Sequence, residues 1–260
     1  MTIPVAVFLL VYLGMALGRV PGLALDRTGI ALLGMIVLVG TNAMTLGDVG
    51  EAVDTPTIAL LFALMIISAQ FEQAGFYGWI ADRVTGTARR PRVLLAAVIA
   101  FAGVLSALLT NDVVVFALTP PLCAGLKALK IDARPYLIGV AAAANSGSAA
   151  TLIGNPQNIL IGQSGDLDFW RYLLMAAPPS LAALVVTFVV IVLTWKLAVP
   201  QAPGEAGRAE LDRYQLAKAV VAVIALICMF ATSVPHEVSA LAVAGVLLLS
   251  RRLSSRDMIG

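Results

Sequence analysis

Apolar residues run almost without interruption through this 260-residue chain, and the polar positions fall into a few short islands. The apolar segments are roughly 2–18, 28–47, 56–71, 93–109, 113–126, 135–162, 172–195, 215–233 and 238–250. A helix needs about 17–25 apolar residues to cross a bilayer, so the pattern predicts an all-α polytopic membrane protein. Two polar islands are out of place in it. Thr110-Asn111-Asp112 alone separates two apolar runs, and ANSGSAATLIGNPQN, residues 144–158, interrupts the segment 135–162.

The charged residues sort the loops between segments. Arg19 and Arg27, then Arg83, Arg89, Arg90 and Arg92, then Lys127, Lys130 and Arg134 fall in alternate loops. Lys196, Arg208, Arg213 and Lys218 follow, and finally Arg251, Arg252 and Arg256. Of all the lysines and arginines, this leaves only Arg171 for the opposite side, whose loops carry Asp48, Glu51, Asp54, Asp166 and Asp168. The positive-inside rule places the basic loops in the cytoplasm and the N-terminus outside, in a multi-pass protein of the cell inner (plasma) membrane. Trp79, Trp170 and Trp195 fall near segment ends, where an interfacial aromatic belt would hold them.

Segments 93–109 and 113–126 therefore begin and end on the same side. Two full spans would satisfy this, and so would a re-entrant hairpin. The second run is short and holds Pro120-Pro121, which favours the hairpin, with its tip buried near mid-membrane against protein or a watery cavity. Asp112 is the only charged residue between 93 and 126. A carboxylate at that depth marks an ion pathway, although it also suits the cap of the following helix. Burial without a partner would raise its pKa.

The island at 145–158 holds Asn145, Ser146, Gly147, Ser148, Thr151, Gly154, Asn155, Pro156, Gln157 and Asn158. These breakers split a span into two half-helices whose ends expose unpaired N–H and C=O groups. Half-helix N-termini attract anions, and unwound carbonyls and amides coordinate cations. A plain loop between two short spans is the alternative, but it would reverse the side of everything downstream and undo the charge sorting. Gln70 and Glu72 end the third segment and read as an interfacial face.

Composition narrows the function classes. The chain is 60% apolar and 12% charged, against about 25% charged in soluble domains. No phosphate-binding loop or metal-ligand spacing is present, so no cofactor beyond a coupling Na+ or H+ is expected, and no nucleic-acid partner. Cys123 and Cys228 read as small buried hydrophobes. A secondary transporter is the main reading. An intramembrane hydrolase using Ser146 or Ser148 with His236 is the alternative class, but His236 falls in an outer loop. A third reading is a membrane subunit that docks a cytoplasmic ATPase through its basic loops.

The polar stretch 200–214 reads as a cytoplasmic linker between a first repeat unit, 1–199, and the incomplete start of a second, inverted unit, 215–260. In the first unit, scaffold spans cover 2–71, the hairpin 93–126, the broken helix 135–162 and a further span 172–195. Laying 31–48 against 240–257 gives a weak internal match, as an inverted-repeat transporter would show.

LLTNDVVVFALTP (108–120) followed by NSGSAATLIGNPQN (145–158) resembles the ion transporter superfamily. Within it, these motifs look like the citrate-transporter-like, arsenical-pump membrane protein and sodium/proton antiporter branch. LDFWRYLLMAAPPS (167–180) is similar to the segment that follows in those proteins. The resemblance covers the whole chain as the N-terminal half of the usual molecule. It implies an elevator-type carrier, often dimeric, of a small anion or oxyacid, arsenite-like or citrate-like, coupled to H+ or Na+. A Na+/H+ antiporter and the membrane subunit of an arsenical pump are its other branches. In that picture Thr110, Asn111 and Asp112 form the hairpin tip, and Asn145, Ser146, Gly147, Ser148, Thr151, Gly154, Asn155 and Pro156 line the break. Dicarboxylate carriers of the superfamily usually read Ser-Asn-Thr at the tip. Asp112 departs from this, which suits proton or sodium coupling and a neutral oxyacid better than a multiply charged anion. The expected partners are the bilayer, a small ion substrate, and a missing second half or a second copy.

Overall fold

The computed structural model describes residues 2–18, 25–199, 210–232 and 234–249. Arg19, Arg208, Arg251, Arg252, Arg256, most of the linker 200–214 and the end of the repeat match 240–257 lie outside them. Among the described residues the secondary structure is helical throughout, with twelve helices and no strand. They are α1 (Thr2–Leu17), α2 (Arg27–Gly40), α3 (Leu46–Glu51), α4 (Thr55–Gln73), α5 (Phe76–Thr85) and α6 (Pro91–Leu108). The others are α7 (Asn111–Ala128), α8 (Arg134–Ser148), α9 (Pro156–Ser164), α10 (Phe169–Thr194), α11 (Arg213–Met229) and α12 (His236–Leu248). Helices α4, α6 and α10 are long and apolar enough to cross a membrane, and α12 is a shorter apolar helix. The chain is an all-α polytopic membrane protein.

Two compact units form, Met1–Asp54 and Thr55–Gly260. In the first, α1 packs on α2, with Gly14 letting Ile30 approach and Gly34 letting Val11 approach. Asp26 caps α2 by accepting from the Gly29 amide at 2.7 Å. Thr45 and Asp48 close a reciprocal capping box on α3, and the Thr45 amide holds the Asp48 carboxyl below its ordinary range.

The second unit is built on a seam of small residues. Gly139, Ala143 and Gly147 recur every fourth position on α8, so one face of this helix carries almost no side chain. That face meets Leu95, Ile99 and Gly103 of α6, in the most extensive helix pairing among the described residues. Lipid tails are as apolar as leucine, so close backbone approach through small residues is what holds such helices together. Helix α10 lies against α6 through Leu184 and against α8 through Ile191, and leaves most of its surface exposed, as at Leu174, Met175 and Leu193.

On another side, α4 packs on α11 and α12. The sequence reading of Gln70 as interfacial is corrected here. Gln70 is fully buried, and its Nε2 donates to the side-chain oxygen of Gln215 at 3.0 Å. An amide this deep is stable only when bonded, and Gln215, also buried, supplies the acceptor. Gly75 turns the chain from α4 into α5 with φ 71°, its Cα close against the Glu210 carbonyl where a side chain would not fit. Cys228 is exposed on α11 and Cys123 half-buried on α7, so neither is the buried hydrophobe expected.

Three basic loops meet at one end of this unit. Arg90, Arg92 and Lys196 line a common cleft, and the Arg134 guanidinium lies 5.3 Å from the Trp195 ring centre. Arg134 also grips Asp132 through contacts of 2.7 and 3.0 Å, and these hydrogen bonds hold the Asp132 carboxyl below its ordinary range.

Candidate functional site

The two polar islands come together. Helix α6 ends at Leu108, Leu109 and Thr110 turn the chain, and α7 starts at Asn111. The second run is longer than expected, because α7 absorbs Pro120 and Pro121 within an 18-residue helix. The break is shorter than expected. Asn145, Ser146, Gly147 and Ser148 form the last turn of α8, and Pro156, Gln157 and Asn158 the first turn of α9, so only 149–155 leaves the helix.

Each end left open by the break is met by a named partner. The Asn111 amide, first in α7, donates to the Gly154 carbonyl at 3.0 Å. Thr151 Oγ1 donates to the Ala107 carbonyl at 2.7 Å, satisfying one acceptor in the last turn of α6. Asn155 caps α9 by accepting from the Asn158 amide at 2.8 Å, and Pro156 follows in the first helical position, where a missing N–H costs nothing. Asn155 Nδ2 donates to Ser148 Oγ at 3.2 Å, and Asn158 Nδ2 to the Thr151 carbonyl at 2.9 Å. Thr110, Ser148 and Thr151 are buried in this knot. Gly154 has to be glycine, since a Cβ there would lie 2.6 Å from Ser148 Cα.

On one side of the knot, Asn111 Nδ2 reaches Asn145 Oδ1 at 3.4 Å, and Asn145 Nδ2 donates back to the Ala141 carbonyl. Asn111 Oδ1 is buried and has no hydrogen-bond partner. Ser146 is half-buried, while Asp112, Asn145 and Gln157 are exposed. The expectation that Asp112 is buried is therefore corrected. Asp112 stands in the first turn of α7, turned away from the packed seam, and Thr110 rather than Asp112 occupies the cap position, with no side-chain cap bond.

Three contributors escaped the sequence reading. Tyr172 donates its hydroxyl to the Ala149 carbonyl at 3.3 Å, pinning the start of the break from α10. Thr57 of α4 donates to Gln163 Oε1 at 2.8 Å, which ties the far end of α9 to the start of α4, and Gln163 Nε2 remains buried without a partner. Neither tie has a signal short of the fold, since Tyr172 reaches a main-chain carbonyl and Thr57 reaches a side chain 106 positions away.

Among the described residues no group of three or more His, Cys, Asp or Glu side chains is placed to hold a metal ion. A cation in the site would be held by hydroxyl, amide and main-chain oxygens. His236 packs its ring against Phe230, 4.7 Å between centres, and Ser148 is tied to Asn145 and Asn155, an arrangement unlike a serine–histidine pair.

Asn155→Ala removes both the α9 cap and the bond to Ser148. It is expected to lower the apparent melting midpoint in detergent by roughly 2–4 °C and to impair transport severely. Unchanged uptake at matched expression would reduce the break to a connector.

Apolar helices thus surround a broken helix whose polar ends meet the turn between α6 and α7. The chain belongs to the citrate transporter family, whose model matches residues 8–260. It is 31% identical to a silicon efflux transporter (LSI3) of Oryza sativa subsp. japonica over 68% of this chain and 37% of that protein. It is 27% identical to a putative transporter arsB of Dictyostelium discoideum over 67% of this chain and 31% of that protein. A 46 kDa membrane protein of Mycobacterium leprae is 28% identical over 99% of this chain and 63% of its own length. The matched region thus spans from under a third to under two-thirds of these relatives.

Proposed function

We propose that the chain forms part of a secondary active carrier that moves a small oxyacid or oxyanion, driven by H+ or Na+. The observation that carries this is the knot between hairpin tip and break, in which buried donors and acceptors are paired and Asn111 Oδ1 is left without a partner. An orphaned buried acceptor costs about 1–3 kcal/mol, and a substrate hydroxyl or a bound cation at that oxygen removes the cost. The groups gathered here are neutral apart from Asp112, which stands nearby in the first turn of α7. That chemistry suits a neutral oxyacid better than a tricarboxylate, in keeping with relatives named for silicon efflux and for arsB.

The helix lengths support a re-entrant hairpin. Helix α8 starts at the basic end and runs 15 residues, about 22 Å, before the break. Helix α9 adds 9 residues, about 13 Å, to reach Thr57 at the start of α4. The tip is bonded to the break and not to the far end of α9, which supports a re-entrant turn even though α6 alone is long enough to cross. The meeting of Arg92, Arg134 and Lys196 at one end supports a cytoplasmic assignment for those loops in a plasma-membrane protein with its N-terminus outside. The exposed polar edge at Asp112, Asn145 and Gln157 supports completion of the site by a second, inverted half or by a second copy of the chain.

Reconstitution of the full-length protein into vesicles, loaded in turn with silicic acid, arsenite or citrate under an imposed pH or Na+ gradient, tests this. Gradient-dependent movement of an oxyacid is expected. Proton movement driven by Na+ alone, with no solute carried, would instead identify an antiporter.

A further inference from the structure

The basic end of the larger unit holds a second feature that transport does not require. Between the start of α6 and the end of α10 lies a cleft of about 590 Å3. Its polar wall is Arg90, Arg92 and Lys196, and its apolar wall is Val192, Trp195 and Leu197. Arg134, the fourth cation nearby, is already paired with Asp132. None of the other three forms an ion pair with a described residue. Helix α6 also opens into this cleft, with Arg90 at its cap position making no side-chain bond and Pro91 just inside. The unpaired amides of that first turn add partial positive charge. Three exposed cations around one cavity set up a local positive potential that attracts an anion.

The surroundings say which kind of anion. The apolar wall continues down α10 as an exposed apolar face, with Leu193 79%, Val190 50% and Val189 44% exposed. Trp195 closes the helix at the level where an indole sits between headgroups and hydrocarbon. A soluble anion has no use for the apolar face, whereas a phospholipid uses both parts. We propose that this cleft binds the headgroup phosphate of an anionic phospholipid, with an acyl chain laid along α10. Arg92 and Arg90 offer planar donor forks to phosphate oxygens and Lys196 a point charge. A lipid held here staples α6 to α10, the two helices that flank the small-residue face of α8.

Native mass spectrometry of the detergent-purified protein, titrated separately with palmitoyl-oleoyl phosphatidylglycerol and with the matching phosphatidylcholine, tests the site. Retention of the phosphatidylglycerol is expected to exceed that of the phosphatidylcholine by roughly tenfold or more. Arg92→Gln and Lys196→Gln, measured singly, should each weaken it roughly fivefold. Arg92→Lys, which keeps the charge and loses the fork, should bind between wild type and Arg92→Gln, and circular dichroism confirms that each variant is folded. Lys127→Gln, which neutralises a charge in the same group of basic loops but outside the cleft, should leave binding unchanged. Equal retention of the two lipids would overturn the proposal, as would equal losses in Lys127→Gln and Lys196→Gln, which would signal only diffuse attraction to charge. Displacement of the lipid by 10 mM inorganic phosphate would show a site for a free anion and overturn the lipid assignment.

Discussion

Gly147→Ala is expected to unseat α8 from α6 and to be strongly destabilising for a single added methyl. A Cβ at Gly147 would lie 2.5 Å from Gly103 Cα and closer still to the Gly103 carbonyl oxygen. These are backbone atoms, so no rotamer change relieves the contact, and one helix has to move. Overpacking in a well-packed core costs about 1–3 kcal/mol and occasionally more, and a backbone clash belongs at the upper end. The apparent melting midpoint should fall by roughly 6–12 °C, with the tip–break knot disrupted because Ser148 is displaced with its neighbour. Two controls isolate the cause. Gly103→Ala points its methyl at the Leu184 side chain, 3.0 Å away, which can rotate, so its effect should be clearly smaller. Gly245→Ala on α12 meets nothing within 4 Å and should be neutral or stabilising, as expected of glycine removal from a helix interior. Equal midpoints for Gly147→Ala and Gly245→Ala would refute the packing of α8 on α6 described above.

The parts of this fold that the sequence announced are those written locally. Apolar runs predicted helices, of which α4, α6 and α10 are long and apolar enough to cross a membrane, and the structure brings together basic residues of separate loops, Arg92 with Lys196, and places Arg134 on Trp195. Membership of a transporter family followed from the two polar islands and their order. The break is narrower than its run of amides and hydroxyls suggests, because not all of these residues leave the helix. Ser148 bonds back to the Asn145 carbonyl and remains helical, while Asn155-Pro156 is a helix start by its cap and its proline, a signal present but outweighed. Helix α5 carries no apolar run to announce it, because Asp82 and Arg83 dilute its apolar face. Gln70 paired with Gln215, and Thr57 with Gln163, join residues more than a hundred positions apart, and nothing local in the chain encodes such a meeting. The exposure of Asp112 belongs with these, since it depends on which face of α7 the neighbouring helices cover.

That exposure sharpens what Asp112→Asn should do. A buried, unpartnered carboxylate would have been a burden on folding, and its removal would have stabilised the protein. The carboxylate instead stands free in the first turn of α7, beside the tip that reaches Asn145 and Gly154. Its one structural contribution is a favourable interaction with the helix N-terminus, which is small at an exposed position. Asparagine keeps the shape and some of the hydrogen bonding and loses the charge. The folded protein should therefore persist with a midpoint within roughly 3 °C of wild type. If Asp112 carries the coupling ion, the effect on transport is far larger than the effect on stability, because a neutral amide can neither bind and release a proton nor balance a bound Na+. The largest functional loss of any single substitution is expected here.

The decisive measurement is gradient-driven uptake in vesicles of Asp112→Asn against wild type. It uses the oxyacid that the wild-type full-length protein carries, at matched expression and with confirmed folding. Placing the transport site at the hairpin tip and break predicts a folded variant whose uptake no longer responds to the H+ or Na+ gradient; full gradient-driven uptake by Asp112→Asn would contradict it.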